Sequence, residues 1–289
     1  MDFKKFVSDI ETNHWNVYGA EVYQDGQLIH SFGDTHDGIY DIYSATKSIV
    51  SVAVGIAYDR GLLKLDSSIL DYLPKEKVDS LSGRQRETFE KLSVRRLLTM
   101  SVADVPFRPE GDNYLDFCLN TEIPFPDKKE FNYSNIPVYL VCVALQQVFG
   151  EDLGEFIVSS IFKPLGITKY EYGRSPEGIF YGASQIKLSV NELSRIGLLM
   201  MNKGVYDGRR IISEEYVRLA TSVQQMNREG GYGFYFWKYR GGFSINGKWK
   251  QKCYCLPDRN IMVTYLSHIE DESHDLLNSM ERNILSVDN

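Results

Sequence analysis

The sequence predicts an α+β fold, in which one antiparallel sheet built from both chain ends is flanked by helices and interrupted by an all-α insertion. Strand-like runs lie near the N-terminus and again after residue 232, whereas residues 62–164 show helical spacing and few strand signals. The simplest arrangement places both sets of strands in one sheet. We therefore expect a sheet subdomain of residues 1–61 and 165–289, an all-α subdomain of residues 62–164, and an active site between them.

The N-terminal quarter predicts a helix, a hairpin and a buried helix. After a short opening helix, strand-like runs at 15–24 and 27–32 are joined by Asp25-Gly26, a dipeptide that supplies the positive φ of a two-residue turn. Residues 46–60 carry apolar side chains at helical spacing, and Gly61 stands where glycine ends a helix. This helix is the most apolar of the chain.

The rest of the chain is predicted to contain further helices followed by a second group of strands. Further helices are expected around 93–100, 112–120, 136–149, 152–163, 193–201 and 213–220. The second group of strands is expected at 233–239, 242–245, 251–256 and 261–266, before a C-terminal helix from about residue 272.

Charge and composition exclude several partners. The chain has 32 Lys and Arg against 39 Asp and Glu, a net charge of −7, so nothing draws it as a whole to nucleic acid or to an anionic membrane. No apolar run approaches the ~18–20 residues of a membrane span. The N-terminus lacks the apolar core of a signal peptide. We expect no nucleic-acid or membrane partner and a cytoplasmic location.

Metal and cofactor sites have little support. The four cysteines do not form a disulfide framework. Cys253 and Cys255 are two residues apart in a predicted strand and so point to the same face, but no second pair of metal ligands lies nearby, which favours a packing role. No two histidines are four residues apart. A Gly-rich run ending at Lys248 resembles a phosphate loop, but Trp249 replaces the required Ser or Thr. We expect neither a metal nor a cofactor.

The pattern Ser-x-x-Lys occurs three times, beginning at Ser44, Ser160 and Ser184, where about one match is expected by chance. Only Ser44 opens the most apolar helix. A helix N-terminus stabilises an oxyanion, and the spacing i, i+3 brings the amine of Lys47 within reach of Ser44 Oγ. A lysine kept neutral by burial can remove the serine proton. We therefore expect Ser44 to be a nucleophile and Lys47 its base.

A second candidate motif is Tyr133-Ser134-Asn135, in a loop just before Pro137. In a structural interpretation, Tyr133 anchors the loop and Asn135 caps the following helix. In a catalytic interpretation, Tyr133 transfers protons and Asn135 binds Lys47 or the substrate. Catalysis would require the Lys47 ammonium to draw the pKa of Tyr133 toward the working pH.

Together these motifs resemble the serine β-lactamase and DD-peptidase superfamily, in its class C and esterase-like branch, where the second motif begins with Tyr. Flanking stretches are also similar to that family: 61–74, Leu97-Leu98-Thr99-Met100-Ser101, Gly182-Ala183-Ser184 and 193–204. The resemblance implies a β-lactamase/transpeptidase-like fold and an acyl-enzyme on Ser44. The implied substrate is a small ester, an amide or a β-lactam-like molecule.

The third motif departs from the family, which usually has Lys-Thr-Gly or His-x-Gly on the strand beside the nucleophile. The corresponding segment reads Ser244-Ile245-Asn246-Gly247-Lys248-Trp249-Lys250-Gln251. It looks closer to members that resemble 6-aminohexanoate-dimer hydrolase. This alignment implies that the backbone N–H of Lys248 is an oxyanion donor beside that of Ser44, and that Gly247 lets the substrate approach. Asn246 would offer the substrate only neutral hydrogen bonds. A carboxylate would then need Lys248 or Lys250 as a replacement cation.

Two functions follow from these observations. The favoured one is a serine acyl hydrolase that cleaves a small ester or amide, with a cytoplasmic location arguing against peptidoglycan crosslinking. The alternative is a catalytically weak member of the fold that binds a ligand or partner. The altered third motif and Met100, where relatives carry His, motivate this second interpretation.

Overall fold

The computed structural model of the chain describes residues 1–286. Its strands are β1 (Val17–Gln24), β2 (Gln27–Gly33), β3 (Tyr40–Asp41), β4 (Glu171–Tyr172), β5 (Ile186–Leu188), β6 (Val205–Tyr206), β7 (Arg209–Arg210), β8 (Trp237–Tyr239), β9 (Gly242–Gly247), β10 (Gln251–Leu256) and β11 (Ile261–Ser267). Its α-helices are α1 (Phe3–Thr12), α2 (Thr46–Asp59), α3 (Lys75–Asp79), α4 (Gly83–Glu90), α5 (Val94–Leu98), α6 (Tyr114–Asn120), α7 (Asn135–Phe149), α8 (Leu153–Ile157), α9 (Lys163–Leu165), α10 (Val190–Met201), α11 (Glu214–Thr221) and α12 (Asp275–Asn283).

The central sheet has six strands in the order β2-β1-β11-β10-β9-β8, all paired antiparallel. The first hairpin therefore lies beside the last strand, and the predicted α+β class with a sheet from both chain ends is confirmed. Asp25 and Gly26 have φ values of 51° and 75°, as the two-residue turn requires. The division into subdomains stays a prediction.

The two faces of the sheet are covered by different helices. On one face, Val22 and Val263 form a core with α1 and α12. On the other face, Cys253 and Cys255 are buried against α10 as free thiols. A Cβ at Gly197 of α10 would lie 2.5 Å from Cys253 Sγ, so the glycine permits this close contact.

The helix α2 is buried along nearly its whole length, and α7 and α11 pack against it. The expectation that α2 is the most apolar helix is wrong, because its buried residues include Thr46, Lys47 and Ser48, whereas α7 carries more apolar side chains. Among the described residues, no single helix is long and apolar enough to cross a membrane. The helix α7 and the helical stretch Leu153–Phe162 pass that test only together, bent by 79°.

Some predicted elements differ from the structure. The expected strand 233–239 is strand only from Trp237, because Tyr235 adopts φ 63° and its carbonyl accepts a hydrogen bond from Ser48 Oγ. The expected helix 152–163 widens into a π turn, Val158–Phe162, just before Pro164, whose ring excludes the carbonyl four residues earlier. The helices α3 and α4 were not predicted, since they are short, polar and largely exposed.

Candidate active site

Ser44 lies at a sharp turn that leads directly into α2. The incoming strand β3 pairs with β5, and Ile42 N–H donates to Ile186 O at 3.0 Å. Tyr43 then adopts φ 47°, a left-handed conformation that is uncommon for a bulky residue. The 3₁₀ turn Tyr43–Ala45 follows, so Ser44 stands at the start of the buried helix.

Lys47 lies beneath Ser44 and contacts it directly. Lys47 Nζ is 2.9 Å from Ser44 Oγ and donates to Ala183 O at 2.7 Å. The side chain is buried, and this burial lowers the pKa of the amine to about 7, although the Cys142 thiol slightly opposes the shift. A large fraction of Lys47 is therefore neutral near pH 7 and able to accept a proton from Ser44.

The ring of Tyr133 lies over this pair, with its centroid 5.0 Å from Lys47 Nζ. Burial raises the pKa of its phenol to about 12, and the Ser44 side chain offsets part of that shift. The expectation that Lys47 lowers this pKa is wrong, because burial drives Lys47 itself toward the neutral form. Tyr133 therefore keeps its proton at neutral pH and is a donor.

Asn135 begins α7 but does not cap it. Ser134 is the N-cap, and its Oγ accepts from Ile136 N–H at 3.1 Å. Asn135 Nδ2 instead donates to the Tyr181 hydroxyl at 3.2 Å. The expected bond to Lys47 does not form, since Lys47 binds Ser44 and Ala183. Among the described residues the buried Asn135 Oδ1 has no partner, so it can accept a hydrogen bond from a ligand.

Gly247 ends β9 where the strand passes the nucleophile turn. A Cβ at this position would lie 2.2 Å from Ile42 O and 2.9 Å from Gln251 Cβ. The glycine is therefore required by the protein's own backbone, whereas the sequence analysis assigned it to the approach of a substrate. After it, Trp249 turns with φ 57° and packs edge-on against Tyr43 at 5.0 Å between centroids.

One pocket of about 570 Å³ brings the proposed residues together. It is lined by Ser44, Tyr133, Asn135, Asn246, Gly247 and Lys248, while Lys47 lies under Ser44. Residues that the sequence analysis did not single out complete the wall, among them Phe107, Arg108, Tyr181, Glu229 and Lys252. The two motifs and the end of β9, far apart in sequence, thus share one cavity.

A further cation beside the altered third motif is Lys252, which sequence reasoning missed. Lys250, one suggested replacement, binds Asp271 at 2.8 Å instead. Lys248 Nζ lies over the Trp249 ring, 4.4 Å from its centroid. Lys252 is half-buried on β10 directly opposite Asn246, and burial lowers the pKa of its amine to about 8. Only the register of β9 and β10 could have identified it.

A family model described as Beta-lactamase matches residues 9–285. One curated relative is an uncharacterised protein of Alkalihalophilus pseudofirmus, 24% identical over 210 residues, which are 66% of this chain and 56% of the relative. The chain thus spans little more than half the length of that relative.

Several solved structures share the fold. A protein of Bacillus anthracis named for 6-aminohexanoate-dimer hydrolase aligns with TM-score 0.80 and 15% identity, over 96% of this chain and 80% of that one. A family VIII carboxylesterase aligns with TM-score 0.77 and 13% identity, over 98% and 96%. A penicillin-binding protein homologue from Caulobacter crescentus aligns with TM-score 0.75 and 14% identity, over 98% and 97%. At these identities the likeness shows the fold alone.

Proposed function

The chain belongs to the β-lactamase family, whose model spans nearly all of it, and on that premise we propose that it is a serine hydrolase that cleaves a small ester or amide through an acyl-enzyme. The observation that carries the proposal is the 2.9 Å contact between Lys47 Nζ and Ser44 Oγ, in a buried setting that lowers the pKa of the lysine to about 7. A nucleophile and a base in this relation form the minimal unit of acyl transfer.

Acylation uses the three residues in order. Neutral Lys47 takes the proton of Ser44 while Ser44 Oγ attacks the carbonyl carbon. The backbone N–H groups of Ser44 and Lys248 are the proposed donors to the resulting oxyanion. Tyr133, a phenol at neutral pH, then gives its proton to the leaving oxygen or nitrogen and recovers one from the Lys47 ammonium.

Deacylation uses Lys47 and Ser44 again, with water in place of the leaving group. A water molecule gives a proton to neutral Lys47 and attacks the acyl carbon. Ser44 Oγ then leaves as the carbonyl reforms and recovers a proton from Lys47. Asn135 Oδ1, which has no partner in the described chain, is proposed to orient the substrate by accepting a hydrogen bond. Each cycle thus consumes one water and restores every protonation state.

The pocket lining supports an active site between two subdomains. Ser44, Gly247 and Lys252 come from the proposed sheet subdomain, residues 1–61 and 165–289. Phe107 and Tyr133 come from the proposed helical subdomain, residues 62–164. A cleft between the two would let substrate reach Ser44 without crossing the core.

Covalent labelling tests the proposal. The intact protein is treated with an alkyl fluorophosphonate, and its mass is measured before and after peptide mapping. We expect one adduct on Ser44, which Ser44→Ala removes and Ser160→Ala leaves. Absence of an adduct, together with no release of nitrophenol from short 4-nitrophenyl esters, would favour the alternative of a fold member that only binds a ligand or partner.

A further inference from the structure

A sequence feature that the proposed function leaves unused is the pair of cysteines on β10. The sequence analysis assigned Cys253 and Cys255 to packing, because it found no further metal ligand near them. In the structure both thiols are free and fully buried, and their Sγ atoms lie 3.8 Å apart. The pair faces α10, on the opposite side of the sheet from Asn246, so it is separate from the Ser44 pocket.

Strand pairing brings a third sulfur to this face. Met262 of β11 is the direct partner of Cys255, so the two side chains lie on the same side of the sheet. Gly197 of α10 lies over all three sulfurs. A Cβ at this glycine would be 2.5 Å from Cys253 Sγ, 2.6 Å from Met262 Sδ and 3.5 Å from Cys255 Sγ. Two thiols and one thioether from two strands therefore converge beneath a residue that has no side chain.

A buried hydroxyl lies beside these sulfurs. Thr264 of β11 is the direct partner of Cys253, and its side chain is fully buried. In the part of the chain that the structure describes, Thr264 Oγ1 has no hydrogen-bond partner. Burying a hydroxyl without a partner is costly, and a bound ion or water molecule would offset that cost. This observation is independent of the sulfurs, and it points to a ligand at the same place.

The ligand types and their spacing select a soft ion. Thiolates and thioethers bind Cu(I) in preference to hard ions such as Mg²⁺ and Ca²⁺. Sulfur ligands lie about 2.3 Å from a first-row metal ion, so three of them around a trigonal ion are about 4.0 Å apart. The two Sγ atoms, 3.8 Å apart, are close to this spacing. A linear ion with two ligands would need about 4.6 Å between them, so the third sulfur has a place in the coordination.

A path leads from the surface to these sulfurs. A cavity of about 230 Å³ is lined both by the exposed turn between β1 and β2 and by Met262. Binding there exchanges protons for the ion. Burial and the neighbouring Cys253 raise the pKa of the Cys255 thiol, so this thiol is protonated in the metal-free chain. Each thiol that becomes a ligand releases its proton to solvent, and the positive ion takes its place.

We propose that Cys253, Cys255 and Met262 form a binding site for one Cu(I) ion, with Thr264 Oγ1 at its border. The site goes beyond the proposed hydrolysis and does not depend on it. Its ligands come from two neighbouring strands, so a bound ion joins β10 to β11 and stabilises the folded chain.

Copper titration tests the site without any turnover. The purified, reduced chain is titrated anaerobically with Cu(I) in the presence of the competing chelator bicinchoninate. We expect it to take up one Cu(I), to show three sulfur neighbours at about 2.3 Å by X-ray absorption, and to gain melting temperature as Cu(I) is added. No uptake from the chelator, coordination by nitrogen and oxygen, or tighter uptake of Zn(II) than of Cu(I) would overturn the inference.

Variants assign the ligands. Cys253→Ser and Cys255→Ser should each lower the affinity for Cu(I) by at least about 100-fold, and Met262→Leu, which conserves volume, by about 10-fold. Cys118→Ser is the matched control, because Cys118 is an equally buried free thiol on α6 and should leave the affinity unchanged. Wild-type affinity in a folded Cys255→Ser, or in Met262→Leu where the serine variants do not fold, would contradict the assignment.

Discussion

Two regions of the pocket are built in different ways. The nucleophile corner, formed by Ser44, Lys47 and Tyr133, lies where two buried helices begin, and its central contact is between residues three apart. The strand edge, formed by Asn246, Gly247 and Lys252, joins two strands through their pairing. The corner retains the motifs of the resembled family, whereas the third motif at the edge departs from that family's pattern.

The difference separates bond chemistry from binding. At the corner, burial itself prepares the groups, because it lowers the pKa of Lys47 and raises that of Tyr133. At the edge, a sheet presents alternate side chains of adjacent strands to the same face, so a charge can be supplied by either strand. We therefore expect changes at the corner to affect kcat most, and changes at the edge to affect substrate preference.

The largest expected effect is at the nucleophile. Ser44→Ala should lower kcat on any cleaved ester by at least about 10⁴-fold, because the change removes the proposed nucleophile of the acyl-enzyme. Ser160→Ala, in another Ser-x-x-Lys sequence away from the pocket, should leave kcat unchanged. Steady-state rates of both purified variants check this, and residual turnover of a few per cent in Ser44→Ala would refute the nucleophile.

Tyr133→Phe is expected to lower kcat by about 10²–10⁴-fold, the usual contribution of a positioned acid or base, and to change stability by less than about 1 kcal/mol. The matched variant is Tyr139→Phe, whose buried hydroxyl binds Ser175 and Glu177. That change should cost about 1–3 kcal/mol of stability with little effect on kcat. The opposite pattern in melting temperature and kcat would make Tyr133 a loop anchor.

At the strand edge, Gly247→Ala should lower kcat/KM by about 10–100-fold. The new Cβ would meet Ile42 O at 2.2 Å, so β9 must move relative to the nucleophile turn, and displacements near 1 Å are that costly. Gly241→Ala in the β8–β9 hairpin is the control, since the atom nearest to its new Cβ would be Asp258 Oδ2 at 3.6 Å, an ordinary contact distance. Equal rates for the two variants would contradict a rigid edge.

The pH dependence of kcat/KM for a neutral ester should report Lys47. Since its base form is required and its pKa is about 7, the rate should rise about 10-fold per pH unit below 7 and level off above. A flat profile from pH 5 to 8 would remove Lys47 as the base.

A last expected effect is on stability. Burial lowers the pKa of Lys47 from its ordinary value of 10.5 to about 7 in the folded chain, so between these pH values the unfolded chain binds more protons. Stability should therefore rise with pH across this window, by up to about 1.4 kcal/mol per unit. Urea unfolding at several pH values tests this. The free energy of unfolding of the wild type should rise more steeply with pH than that of Lys47→Met, which lacks the titrating amine.

The sequence predicted an element correctly where the residues that determine it lie within one short segment. Asp25-Gly26 specified the first hairpin, and the apolar spacing of 46–60 specified α2. The prediction failed where contacts with residues distant in the sequence determine the local structure. The aromatic run before Trp237 reads as strand, yet the backbone of Tyr235 turns to bind Ser48 and Leu98 from two other elements. Asn135 is likewise a residue type that is common at helix N-caps, but Ser134 caps the helix.

The sequence by itself determined the α+β class and the pairing of Ser44 with Lys47, because strand alternation and the i, i+3 spacing of a helix are local properties of the chain. The tertiary structure decided which lysine lies opposite Asn246 and which groups are ready to exchange protons. Lys248, Lys250 and Lys252 are equivalent as residue types, and only the register of β9 and β10 sets Lys252 opposite Asn246. The pKa of Lys47 depends on burial, which many distant residues create together.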